Sequence, residues 1–324
     1  MQTLCALPTV LFRSARPWLT VSAAALVLMT VEMRAEWRHG DSTIGWVSDG
    51  KVVWQFSFDV TKGKPFFHPI TAGGAASLTN YRPADHPWHY ALWFSWKYIN
   101  GVNYWEEDRQ TGRAGGRTSW APPRIDTRPD GGAIIHLNVN YTHPSGRIDL
   151  REVRTLNVSP VDHAGGYTIG WSADFVAGPE GAELGRTPMP GEPGGQVNGG
   201  YAGLSLRLAS APLSVAMVTA ERPVAEFVRS RARPNSPAVG CNVTEAGREV
   251  GAVAILSAPG NLPGAAPWYL INSEEMRFAC AAVLAPQVRK LPPGGEWKLR
   301  YRIAVRAGAW TPELLRDAGQ RWHP

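Results

Sequence analysis

Residues 79–109 read TNYRPADHPWHYALWFSWKYINGVNYWEEDR, the densest mixture of polar and aromatic side chains in the chain. Asp85-His86-Pro87-Trp88-His89 forms one cluster and Trp105-Glu106-Glu107-Asp108 a second. Imidazoles and carboxylates within reach of one another can transfer protons or hold a metal. Indole faces beside them suit the apolar side of a sugar ring.

Three readings of this segment compete. In the first, His86, His89 and Glu107 carry out acid/base chemistry on a sugar, and Arg82, Asp85, Trp88, Trp93, Asn103, Trp105, Glu106 and Tyr201 bind it. If 103–108 is a strand, Asn103, Trp105 and Glu107 share a face, with Tyr104, Glu106 and Asp108 on the other. That alternation selects Glu107 as general base, raised in pKa by burial beside Trp105, and His89 as its acid partner. Glu106 is then solvent-facing or paired with an arginine. In the second reading His86, His89 and Glu107 ligate a divalent metal, as two His and one carboxylate do in non-haem iron enzymes. Residues i and i+3 of a strand face opposite ways, so this needs Pro87 to bend the chain. In the third, the Trp residues are core and the polar groups satisfy backbone, with Glu107 paired to a base such as Arg82. A non-catalytic carbohydrate-binding module using the Trp residues as a platform is the alternative to an enzyme.

Bringing the clusters together requires particular elements. Asn100-Gly101 is a strong turn signal and predicts a hairpin pairing 90–99 with 102–108. Period-2 alternation predicts strands at 135–141, 167–175 and 297–305, and further strands at 51–58, 90–96, 148–158, 204–208, 213–219, 250–257 and 277–284. So many strands with one apolar face each predict an all-β fold, an antiparallel β-sandwich. One helix is expected at the C-terminus, with Thr311 as N-cap, Pro312 at N1 and Leu314, Leu315 and Ala318 buried. Residues 177–200 lack periodicity and are rich in Gly and Pro, which predicts a long loop. Residues 185–201 are expected beside the site, with Tyr201 or Arg186 in its wall.

Composition narrows the function classes. The chain has 324 residues, 44% hydrophobic and 19% charged, with 34 Gly and 27 Pro, which excludes a disordered chain and argues against a helical bundle. Net charge is +6, but the basic residues are scattered, so no nucleic-acid partner is expected. Arg13 and Arg16 precede an apolar run from Trp18 to Val31. Residues 1–35 therefore read as a signal peptide or N-terminal anchor, and 36–324 as a single β-sandwich domain with the C-terminal helix. The body is expected to be exported, periplasmic or extracellular, with no membrane span. Cys241 and Cys280 either pair or remain buried thiols. GxSxG, P-loop, GxGxxG and HExxH motifs are absent from the sequence, so the enzyme classes they mark lose their usual support.

Phe67-His68-Pro69, Thr79 to Arg82, Asp85 to His89, Leu92-Trp93-Phe94 and Asn100 to Glu107 together resemble the PmoA family, as do Gly200 to Ser205 and Leu299 to Val305 downstream. The resemblance covers nearly all of 40–310. It implies a bacterial protein, often exported and often encoded among carbohydrate-degradation genes. It also implies a galactose-mutarotase-like or jelly-roll-like β-sandwich, in which His and Glu act on a sugar ring. The family name itself implies a metal-dependent oxygenase.

Overall fold

On the strand Tyr167–Ala177 every second residue is buried, from Tyr167 through Ile169, Trp171, Ala173 and Phe175 to Ala177. That alternation is the pleat of a strand with one face on a core. The same logic builds most of the molecule, a computed structural model describing residues 35–324. The segment read as a signal or anchor, 1–35, lies outside the described residues apart from Ala35, which opens the first strand.

Two nine-stranded antiparallel sheets form the sandwich. The first runs in the order Ala35–Gly40, Thr43–Ser48, Lys51–Ser57, Phe66–Ile70, Leu92–Ser95, Gly203–Arg207, Arg277–Ala281, Trp268–Asn272 and Arg231–Ala232. The second runs Ser214–Thr219, Ala238–Glu245, Arg248–Ser257, Glu296–Arg306, Tyr167–Ala177, Ile148–Val158, Ala133–Thr142 and Arg117–Trp120, with Arg124–Thr127 also paired to Ala133–Thr142. Their facing side chains make one apolar core. Phe67 meets Trp171 at 6.4 Å between ring centroids, and Phe94 meets Phe175 at 5.5 Å. The expected helix is present as Pro312–Gln320, with the Thr311 side chain accepting a hydrogen bond from the Leu314 amide. It covers the outer face of the second sheet through Leu315, assisted by Leu314 and Ala318.

The central strands of the first sheet depart from simple alternation. Leu92–Ser95, Gly203–Arg207 and Arg277–Ala281 are buried at every position. Leu92, Phe94, Leu204 and Leu206 face the sandwich core, while Trp93, Phe278 and Cys280 belong to a second apolar cluster. The first sheet is thus covered on both faces, and its outer covering carries the candidate site.

Two local expectations need correction, and an open one is decided. The hairpin at Asn100-Gly101 pairs only Tyr98–Ile99 with Val102–Asn103, because Leu92–Ser95 is already bonded to Phe66–Ile70 and Gly203–Arg207. The stretch 177–200 is not all loop: Ala182–Gly185 forms a strand between Arg289–Leu291 and Tyr98–Ile99 in a small third sheet. Cys241 and Cys280 are free, buried thiols, one in each large sheet. Burial pushes both thiols up to about 12, so neither is poised to react.

Candidate functional site

The segment 82–89 is built from consecutive turns rather than strand. The His86 amide donates to the Pro83 carbonyl and the His89 amide to the His86 carbonyl. These turns supply the bend that His86 and His89 needed in order to converge. Their rings stack at 4.7 Å, and His89 stacks in turn on Phe278 at 5.1 Å.

Asp85 fixes the outer imidazole. His86 Nδ1 lies 2.9 Å from Asp85 Oδ2, and Arg207 donates to the same carboxylate oxygen at 2.8 Å. Arg207 is fully buried on its strand. With the Nδ1 proton directed at Asp85, His86 Nε2 is left for another partner. His89 differs: burial, then the charges of His86, Arg207 and Lys64, hold it well below 6.5. It is neutral, its Nδ1 has no hydrogen-bond partner, and an imidazolium acid at His89 is disfavoured.

The two neighbouring glutamates have different environments, and the expected strand face does not decide them. The strand ends at Asn103, whose Oδ1 accepts from the amides of Trp105 at 2.8 Å and Glu106 at 3.2 Å. This Asx-type turn breaks the period-2 count. Glu106 consequently joins Trp105 in the pocket. Its carboxylate accepts from Tyr201 Oη at 2.5 Å, from Asn103 Nδ2 at 2.7 Å and from Lys97 Nζ. Burial acts to raise its pKa, but Lys97, Tyr201 and Asn103 outweigh that and hold it below the usual carboxylate range. Burial and the adjacent Glu106 push the Tyr201 phenol far up, so it remains a donor.

Glu107, expected as the general base, is turned the other way. Lys64 Nζ donates to Oε1 and Arg82 to Oε2, both at 2.7 Å. Arg82 also donates to Tyr90 Oη. Arg82, placed among the substrate-binding residues from sequence, therefore holds this ion pair instead. The metal reading does not fit either. Glu107 is occupied by two cations, and among the described residues no group of three His, Cys, Asp or Glu is arranged to hold a metal.

A cavity of about 160 Å³ lies over these residues. Its floor is apolar, from Trp105, Tyr269, Ile271, Met276 and Phe278. The rest of its lining is polar or mixed: His86, Trp88 and His89 from the 82–89 turns, with Glu106, Asn198, Tyr201 and Arg231. The structure thus brings together His86, His89, Trp88, Trp105, Glu106 and Tyr201 from the sequence-derived set. Trp93 is fully buried, packed on Trp105 and His89, and is not among the residues lining the pocket. Asn103 acts through Glu106. Asn198 and Tyr201 place the end of segment 185–201 in the wall. Arg186 instead bonds the Leu284 carbonyl and Glu192.

Sequence reasoning missed Asn198, Arg231, Tyr269, Ile271, Met276 and Phe278. One signal was readable: Trp268–Asn272 and Arg277–Ala281 carry apolar residues on both faces, which implies a covering on both sides of the sheet.

These features define an antiparallel β-sandwich with a small aromatic pocket, edged by imidazole, carboxylate and guanidinium, on the outer face of one sheet. The chain belongs to the family of unknown function DUF6807, whose profile matches residues 44–319. The resemblance to the PmoA family has no counterpart among these matches. No match is found among curated proteins. Among solved structures the chain is similar to an alpha-galactosidase from Lactobacillus brevis, at 11% identity and TM-score 0.44, covering 85% of this chain and 40% of that one. It is also similar to a putative aldose 1-epimerase from Klebsiella pneumoniae, at 7% identity and TM-score 0.42, covering 89% and 86%. A third is a 4-alpha-glucanotransferase from Thermococcus litoralis, at 10% identity and TM-score 0.31, covering 86% and 38%. The chain therefore spans well under half the length of the galactosidase and the glucanotransferase.

Proposed function

We propose that the protein binds a single sugar unit in this pocket and performs acid/base chemistry on it. The observation that carries the reading is the pairing of the aromatic floor around Trp105 with two oriented polar groups, the Asp85-His86 pair and Glu106. Aromatic faces cover the C–H side of a sugar ring, and fixed acceptors and donors select its hydroxyls. The small volume, below the roughly 300–1,000 Å³ of drug-sized ligand pockets, suits one ring or the end of a chain.

The roles follow from the environments. His86 exchanges a proton with the substrate through Nε2, while Asp85 keeps its tautomer and orientation. Glu106 remains ionised and accepts a hydrogen bond from a substrate hydroxyl. Tyr201 and Lys97 hold that carboxylate in place. His89 is a neutral platform beneath His86. The protein works after export, and residues 1–35 direct it there.

A thermal-shift screen of monosaccharides identifies the ligand, since 100 times the dissociation constant adds about 2.7 kcal/mol of stability. With that sugar, His86→Asn lowers turnover by about 10²-fold or more and leaves affinity nearly unchanged. Trp105→Phe, by contrast, weakens binding. Binding without turnover in the unsubstituted protein makes it a carbohydrate-binding module. The sugar reading fails if no sugar shifts the melting temperature.

A further inference from the structure

Arg231 and Arg233 lie along the Tyr269 side of the pocket. Arg231 lines the cavity, with Nε donating to Tyr269 Oη at 3.1 Å and one terminal nitrogen donating to the Arg229 carbonyl at 2.6 Å. The Arg233 guanidinium covers the Tyr269 ring at 4.4 Å, and its other terminal nitrogen reaches the Val197 carbonyl beside Asn198. Its Nη1 is buried with no hydrogen-bond partner.

The charge balance around the pocket is uneven on the Tyr269 side. Arg186 is matched by Glu192, Lys97 by Glu106 and Arg207 by Asp85. Among the described residues no carboxylate pairs with Arg231 or Arg233. Burial, with Arg231 and Arg186 as like-charged neighbours, holds the Arg233 pKa below its ordinary value. One guanidinium lining the pocket and a second stacked on the pocket's Tyr269, neither with a carboxylate partner, call for an anion from outside.

The backbone is also committed to presenting Arg231. Val228 and Arg231 bond each other's backbones in a tight turn, and the two residues between them, Arg229 and Ser230, have φ of 49° and 64°. Turns with both central residues left-handed normally use Asn-Gly, because a Cβ is disfavoured there. Strain of this kind persists only where the surroundings hold it, and it is common at ligand-binding sites.

We infer that the pocket takes a sugar acid, with the carboxylate of a uronate against Arg231 and the ring over Trp105. A guanidinium presents parallel N–H groups matched to the two oxygens of a planar carboxylate. This rests on the sugar-binding reading above and specifies its substrate class.

The test is calorimetric titration of the full chain with D-galacturonate and D-glucuronate against D-galactose and D-glucose, with the 6-sulfate and 6-phosphate of galactose as further arms. At least one uronate is expected to bind about 10-fold or more tighter than its neutral counterpart. Arg231→Gln, checked for an unchanged melting temperature, should abolish that advantage, so that uronate and neutral sugar bind with equal affinity. Should Arg231→Gln fold poorly, salt provides the second readout: rising ionic strength weakens uronate binding to the unsubstituted protein and leaves the neutral sugar unaffected. A preference for the sulfate or phosphate ester over the uronate overturns the carboxylate. Equal binding of uronate and neutral sugar overturns the inference and leaves the sugar site standing. If none of the six binds, the inference falls, and the wider monosaccharide screen decides the sugar reading.

Discussion

Glu107 accepts hydrogen bonds from Lys64 and Arg82, and the Lys64 and Glu107 side chains are only 4% and 5% exposed. Burial is the largest influence on Lys64 and lowers its pKa, so its charge depends on the glutamate opposite. Removing one partner of a buried pair leaves an unmatched charge, at a cost of about 3–5 kcal/mol. Glu107→Gln is expected to lose about 3 kcal/mol in urea unfolding while the pocket groups stay in place. Glu106→Gln, at a carboxylate that faces the pocket, leaves Lys97 unmatched and should lose ligand affinity as well as stability. A stability change below about 0.5 kcal/mol in Glu107→Gln would show that this pair does not hold the segment. The adjacent glutamates thus separate into one for structure and one for the site.

At the scale of elements, the rim turn at 228–231 is strained by choice of residue. An L-residue in the left-handed region costs about 1–2 kcal/mol, and glycine avoids that cost while losing about 0.5–1 kcal/mol in chain entropy. Ser230→Gly is therefore expected to raise stability by about 0.5–1 kcal/mol, read from the urea midpoint at unchanged slope. The Ser230 carbonyl accepts from the Asn272 amide, and a glycine preserves that bond. A fall in stability would mean that the Ser230 side chain contributes more than its backbone strain. The short Asn100-Gly101 hairpin behaves differently: its residues suit the turn, and its extent is set by competition for Leu92–Ser95.

For the molecule as a whole, one half-buried and one buried imidazole, His68 and His89, link folding to pH. Burial lowers His68 to about 4 and holds His89 well below 6.5. The unfolded chain takes a proton on each near pH 6.5, while the folded chain refuses it until lower pH. The unfolded state then binds more protons, so stability is fully present above about 6.5 and falls with pH below that, until each folded pKa is reached. The slope approaches about 1.4 kcal/mol per pH unit for each group. Urea unfolding between about pH 7 and pH 5 should show this decline, and His68→Gln should remove its share. A flat profile over that interval would mean that neither imidazole is kept neutral by the fold.

Much of the architecture could be read from local pattern. Alternation at 167–175 and 297–305 depends only on which face of a pleat meets the core, and Thr311-Pro312-Glu313 carries its helix start in adjacent residues. The segment bearing the site was also legible, because so many polar groups beside four Trp in 79–109 exceed what packing needs. Which residue does what was not legible. Glu106 and Glu107 exchanged their expected places when an Asx-type turn at Asn103 ended the alternation. The partners that then hold them, Lys97 and Tyr201 for one, Lys64 and Arg82 for the other, arrive in part from distant strands and loops. Arg207, Arg231, Tyr269 and Phe278 entered the site only because their strands lie beside Leu92–Ser95 or follow it across the first sheet. Strand order is a long-range property, and it alone determines which side chains share the outer face. The sequence carried the periodicity and the chemistry available, and the pairing of distant strands decided which of those groups meet.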